Sequence, residues 1–347
     1  PRMSQHRGRH LLQGFTLTGG FATTGGGVMI DGASPTLVDV VVTGCAAHNT
    51  GGGIHVTSGN PTLDHVAIRG NTADGEGGGL YVSGASVTLT NVVVSDNLVM
   101  SYGGGIAMQS SSAVLDHVLV AGNQAQRAGG GLFMNTSSAD LTNVAFLDNT
   151  SLAGDADGGG LYLLQASPVL TNVTVAGNLA GGRGGGLYLF QASPSLLDVL
   201  VAGNEAGEGG GICNDMGLPG FPSIAFCSVT GNAPDEYLGM TDPTGANGNV
   251  ADAPEFLDLS ATDPLQWDVH LGASSTLIDV GSPSLDDPDG TRADIGSWGG
   301  PGAGGWDLDL DGHPSWWQPG PYDPGTYPGQ GWDCDDLDPA VGPGSGC

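Results

Sequence analysis

The chain has 347 residues, with 36 acidic side chains against seven arginines and no lysine, for a net charge of −29. That balance argues against nucleic acid and anionic membrane as partners and favours cations. No apolar run reaches the ~18–20 residues that span a bilayer, so no direct membrane insertion is expected.

Residues 1–24 read as an entering coil, N-terminally truncated or processed, because Pro1-Arg2-Met3 looks like the end of an earlier turn. From there the triplet Gly-Gly-Gly plus an aliphatic residue recurs eight times. The aliphatic residues are Val28, Ile54, Leu80, Ile106, Leu132, Leu161, Leu187 and Ile212, at intervals of 26, 26, 26, 26, 29, 26 and 25. A period this regular means one unit stacked on itself. Within the unit starting at Gly158, apolar residues alternate in short runs: Leu161/Leu163, Leu170, and Val173/Val175. Turn residues separate them. Period-2 runs this short are strands, so residues 25–232 are expected to form eight coils of an all-β, three-strand parallel solenoid. Coils ~4.8 Å apart make a rod of roughly 40 Å.

Two polar columns mark the bends. One reads Asp39, His65, Asn91, His117, Asn143, Asn172 and Asp198, between the second and third strands. The other reads Asn71, Asn97, Asn123, Asn149, Asn178, Asn204 and Asn232, with Cys45 breaking it in the first coil. Stacked asparagines can bond one another and the turn backbone. His65 and His117 lie two coils apart, ~9.6 Å, too far to chelate one metal.

The GGG[ILV] triplets with Phe146-Leu147-Asp148-Asn149 resemble the GGA[ILV]/FxxN repeats of polymorphic outer-membrane proteins. They are similar also to secreted bacterial right-handed parallel β-helix proteins. The resemblance covers residues 11–232. It implies a right-handed parallel β-helix and an extracellular or outer-cell-surface location in a bacterium with a Gram-negative envelope. It implies no single function, because this fold carries enzymes, adhesins and inert rods alike.

Beyond the repeats the composition changes. Residues 251–347 hold 18 of the acids and one arginine. Residues 233–300 are expected to be a C-terminal cap of irregular coils covering the last coil. Residues 301–347 form a Gly/Pro/Trp/Asp-rich tail. Asp307, Asp309 and Asp311 followed by Gly312 open like an EF-hand loop, but the twelfth position is Gln318 and the prolines forbid its helices. With Asp333, Asp335, Asp336 and Asp338 the tail resembles the DxDxDG…DCDDxDP calcium-type motif of secreted bacterial proteins, which implies bound Ca2+. A solvated acidic linker and a copper site are the alternatives. Of five cysteines, Cys334 and Cys347 could close a short loop; Cys213 and Cys227 are a weaker pair, one expected to point outward and the other inward.

The outward column of the first strand carries an aromatic stripe: His55, Tyr81, Phe133, Tyr162 and Tyr188. Such a stripe suits a sugar polymer, lateral contact with another rod, or cross-strand pairing. The outward positions of the five middle coils carry neither acid nor arginine, so no enzyme is expected; the best catalytic remnant is Asp155 and Asp157 beside Tyr162, with Arg183 one coil on. The expectation is an extracellular structural or adhesive rod with a calcium-binding tail, partnered by itself or by a glycan or other cell-surface component. The alternatives are a filament subunit joined end to end or by the tail, and a polysaccharide-active lyase or hydrolase.

Overall fold

A computed structural model of the chain describes residues 2–4, 10–215 and 221–306. Strands recur in a fixed order along the coils. Val28–Asp31, Thr36–Thr43 and Ala46–Ala47 make the first full coil; the next five repeat it, and the last two lack the short third strand. All ladders of the solenoid are parallel and form three sheets. The result is an all-β parallel β-helix of about nine turns.

The register follows the glycine clock. Val28, Ile54, Leu80, Ile106, Leu132, Leu161, Leu187 and Ile212 pair in succession and are 0–1% exposed. Leu37, Leu63, Leu89, Leu115, Leu141, Leu170 and Leu196 stack likewise on the second sheet. These ladders form one continuous core. The triplets serve close packing. Gly129 takes φ +65, and a Cβ on Gly131 would lie 2.7 Å from the carbonyl oxygen of Gly160 in the next coil.

The second and third strands expected from the sequence are one strand with a bend. In Ser138–Leu147, for example, Asn143 sits at φ +50 and is skipped in the pairing. Every member of its column has φ between +48 and +55. Asn, Asp and His tolerate this left-handed conformation best among residues with a Cβ, which explains the column's composition. The third sheet is built from two-residue strands such as Thr72–Ala73 and Gln124–Ala125, which are too short to show an alternation.

The asparagine column is the second internal support. Each side-chain amide from Asn71 to Asn204 donates to the Oδ1 of the next asparagine at 2.8–3.0 Å. Each also donates to a strand carbonyl of the previous coil, as Asn123 does to Val94 O at 2.8 Å. The same Oδ1 accepts the preceding asparagine's backbone N–H. Cys45 enters the ladder by its backbone, donating to Asn71 Oδ1 at 3.0 Å.

The C-terminal segment does more than cover the last coil. Tyr237 and Met240 pack against the end of the core, and Asn249 bonds Cys227 there. Residues 255–306 then turn back as a strap along the outside of the second sheet. Val269, Trp298, Ala303 and Trp306 pack on Val93, Leu119, Ala145, Leu147 and Ala176. The bend column grips the strap coil by coil. Asp198 accepts from Ser282 N–H, Asn172 donates to Asp294 O, Asn143 to Ser297 O and Gly299 O, and His117 to Gly302 O. Residues 301–306, grouped with the tail in the sequence, belong to this strap. Cys213 and Cys227 are buried free thiols.

Candidate functional site

Parallel strands in register put equivalent side chains ~4.8 Å apart, the spacing at which aromatic rings stack. On the outer face of the first sheet they do so. Tyr102 stacks on Phe133 with centroids 4.8 Å apart, Phe133 meets Tyr162 at 5.5 Å, and Tyr162 meets Tyr188 at 4.9 Å. Separately, His55 stacks on Tyr81 at 4.9 Å. The five residues expected as a stripe thus form two ladders, separated by Ala107. Tyr102, from the turn ahead of its glycine triplet, extends the longer ladder and was not anticipated. Its signal was present: the backbone column Glu76, Tyr102, Ala128, Asp157 borders the first strands.

The rings cover one another. Phe133 is 3% exposed, Tyr188 1% and His55 7%, while Tyr81 and Tyr162 are half-buried. A ligand on this face therefore meets ring edges and the half-exposed Tyr162 and Tyr81 first. Burial pushes the Tyr162 hydroxyl up to about 12, so it is a neutral donor and acceptor at neutral pH.

The longer ladder ends in a charged cluster. Arg183 Nη2 donates to Tyr188 Oη at 2.7 Å and to Asp157 Oδ2 at 3.2 Å, and its Nη1 lies 3.3 Å from Asp215 Oδ2. Tyr188 Oη donates to Asp215 Oδ2 at 2.6 Å. The Arg183 backbone N–H donates to Asp157 Oδ1 at 2.8 Å, and its guanidinium stands 4.9 Å from the Tyr188 ring centroid. Three coils contribute: Asp157 and Arg183 occupy the column just ahead of successive glycine triplets, and the last coil brings Asp215. Asp155 is exposed and stands apart from this network. Burial pushes the Asp157 carboxyl up even with Arg183 beside it, and pushes the underlying Cys213 thiol up to about 12. Cys213 is therefore an unreactive thiol. Two carboxylates flanking one guanidinium can accept hydrogen bonds from a polyhydroxyl ligand, or can act as an acid and a base.

A second cluster lies in the strap. One carboxylate oxygen each from Asp279, Asp287 and Asp294 falls within 4.8 Å of the others, close enough for the three to hold a metal ion. Asp287 accepts from the backbone N–H groups of Asp294 at 3.1 Å and Gly300 at 2.5 Å, and Asp294 from that of Asp279 at 2.8 Å. Burial pushes both Asp287 and Asp294 up. Three carboxylates suit a hard, oxygen-seeking cation such as Ca2+, which takes 6–8 oxygens in all. The sequence placed calcium elsewhere, on Asp307, Asp309, Asp311, Asp333, Asp335, Asp336 and Asp338. Those seven lie outside the described residues, as do Cys334 and Cys347.

Comparison with known proteins agrees with the architecture. Residues 10–150 match the family model described as a right handed beta helix region. No curated protein matches the chain. Among solved structures, the crystal structure of pectate lyase Pel9A is similar, with a TM-score of 0.40 and 13% identity over 85% of this chain and 84% of that one. The expectation that the chain is not an enzyme is corrected, because its premise of a face without acid or base does not hold. The first strands bring no acid or base to the middle of the face, but the adjoining turns and the last coil bring Asp157, Arg183 and Asp215 to one end of it.

Proposed function

We propose that the chain is an extracellular, cell-surface β-helix rod of a bacterium with a Gram-negative envelope, structural in its body and adhesive on the outer face of its first sheet, where it binds an extended glycan. The observation that carries this reading is the ladder Tyr102, Phe133, Tyr162, Tyr188 running straight into Asp157, Arg183 and Asp215. A flat face with a fixed repeat and hydrogen-bonding groups at one end suits a polymer lying along the rod. The continuous aliphatic core and the hydrogen-bonded asparagine ladder stiffen the coils that carry that face, which limits the entropy lost on binding. Calcium held by the acidic C-terminal region belongs to the same reading.

Affinity electrophoresis through gels containing soluble polysaccharides tests it. Retardation by at least one polymer, weakened about ten-fold by Tyr162→Ala, is the expected result, equivalent to about 1.4 kcal/mol. No retardation by any polymer overturns the reading. A polysaccharide-active enzyme is the second reading, favoured by one observation: the Asp157 carboxyl, pushed up by burial, and the Asp215 carboxylate flank the same arginine beside Tyr162. New reducing ends or unsaturated products, lost in Asp157→Asn, would establish it.

A further inference from the structure

The first-sheet face is rich in acceptors and poor in available cations. Among the described residues Arg183 is the cation bonded into it, with the exposed Arg127 next to Ala128 of the bordering column; both terminal nitrogens of the Arg183 guanidinium are engaged, one by Asp157 and the Tyr188 hydroxyl, the other by Asp215. An anionic ligand approaching the guanidinium would lie against both of these carboxylates. Further along the face, Glu76 accepts from Gln109 at 2.9 Å, and Gln109 Oε1 accepts from Asn135 at 2.9 Å. Glu208, exposed, adjoins Arg183 in the bordering backbone column. Behind these local groups stands the field of a chain with net charge −29 and no lysine. Such a surface repels carboxylate and sulfate and attracts hydrogen-bond donors and cations.

Resting on the glycan-binding reading above, we infer that the ligand of this face is a sugar polymer that offers hydroxyl or ammonium donors and carries no anionic groups. The carboxylates of Asp157, Asp215 and Glu208 are its recognition acceptors. Tyr162 and Tyr81, half-buried, supply apolar contact and hydroxyls that both donate and accept. Uronate and sulfated polymers are excluded by like-charge repulsion, which raises the dissociation constant chiefly at low ionic strength.

The experiment compares four soluble polymers on the intact chain at low salt: an amino-sugar polymer, an uncharged glucan or mannan, polygalacturonate and alginate. Binding to the amino-sugar or the uncharged polymer, with both uronates weaker by about ten-fold or more, is expected. The amino-sugar arm should weaken with added salt and the uncharged arm should not, which separates the two donor sources. Asp215→Asn should weaken amino-sugar binding several-fold; because that carboxylate also ties Arg183 and Tyr188, Glu208→Gln, at an exposed position, provides the second variant and should weaken it about two-fold. Uronate binding equal to or tighter than the others overturns this inference while leaving the glycan reading in place. Binding to no polymer overturns both.

Discussion

Asp198 offers the sharpest test of how the strap is held. It is the last member of the bend column, where Asn172 and Asn143 occupy the two coils before it. It is 0% exposed, its Oδ1 accepts from Ser282 N–H of the strap, and its Oδ2 finds no hydrogen-bond partner among the described residues. Burial pushes its carboxyl from 3.8 up to about 7, with the Ser282 N–H and the charge of Arg292 pulling the other way. A raised carboxyl is neutral in both folded and unfolded chains below about pH 4, so it costs nothing there. Between pH 4 and 7 the unfolded chain ionises while the folded one resists, and stability falls as pH rises. The difference amounts to about 4 kcal/mol above pH 7. Asp198→Asn removes the charge, and its amide oxygen can still accept from Ser282. Asparagine already occupies φ +51 and +50 at Asn172 and Asn143, close to the +55 of Asp198. The variant should therefore be more stable than the natural chain by about 2–4 kcal/mol at pH 8, and equal to it at pH 4. Urea unfolding followed by tryptophan fluorescence at both pH values measures this, and the difference between the two chains isolates Asp198 from the other acids. A variant no more stable at pH 8, or stabilised equally at both, would refute the reasoning.

Other perturbations probe the remaining supports. Asn123→Ala removes one rung of the asparagine ladder and leaves buried groups of Val94, Asn97 and Asn149 short of partners; a loss of about 3 kcal/mol or more is expected by chemical denaturation, against under 1 kcal/mol for an exposed serine such as Ser86→Ala. Trp306→Ala removes a fully buried ring that stacks on Trp298 and meets His117 edge-on; about 3–5 kcal/mol should be lost, with faster hydrogen exchange confined to the strap and to Leu119, Ala145 and Leu147 beneath it. Exchange that accelerates uniformly through the coils would show that strap and rod unfold as one unit. Removing divalent cations with EGTA should lower the melting temperature and change tryptophan fluorescence, with recovery by Ca2+ and poorer recovery by Mg2+; an unchanged melting curve would count against any resident cation, at Asp279, Asp287 and Asp294 or in the tail.

The repeat determined most of this molecule before any tertiary contact is considered. A side chain inside a solenoid meets its own equivalents one coil away, so the column Val28 to Ile212 and the asparagine ladder follow from local spacing alone. The aromatic stripe was legible for the same reason. Cross-strand pairing of its rings was among the expected readings, but the approach of Tyr102 from a neighbouring turn was not, because it depends on how that turn leans over the sheet. The charged cluster was half legible: Asp157 and Arg183 lie one coil apart, but Asp215 and the bridging Tyr188 hydroxyl join them only through the stacking of the last coils. The strap was decided by tertiary structure. Its contacts with the sheet link residues 84 to 185 positions apart, and no periodicity predicts them. The sequence did carry a trace of it, in the outward positions of the bent strands: Leu119, Ala145 and Leu147 are apolar where solvent would favour polar residues. Such a face announces that something covers it. What covers it, and that three carboxyls gather in the covering segment, depended on a chain that has no repeat to read.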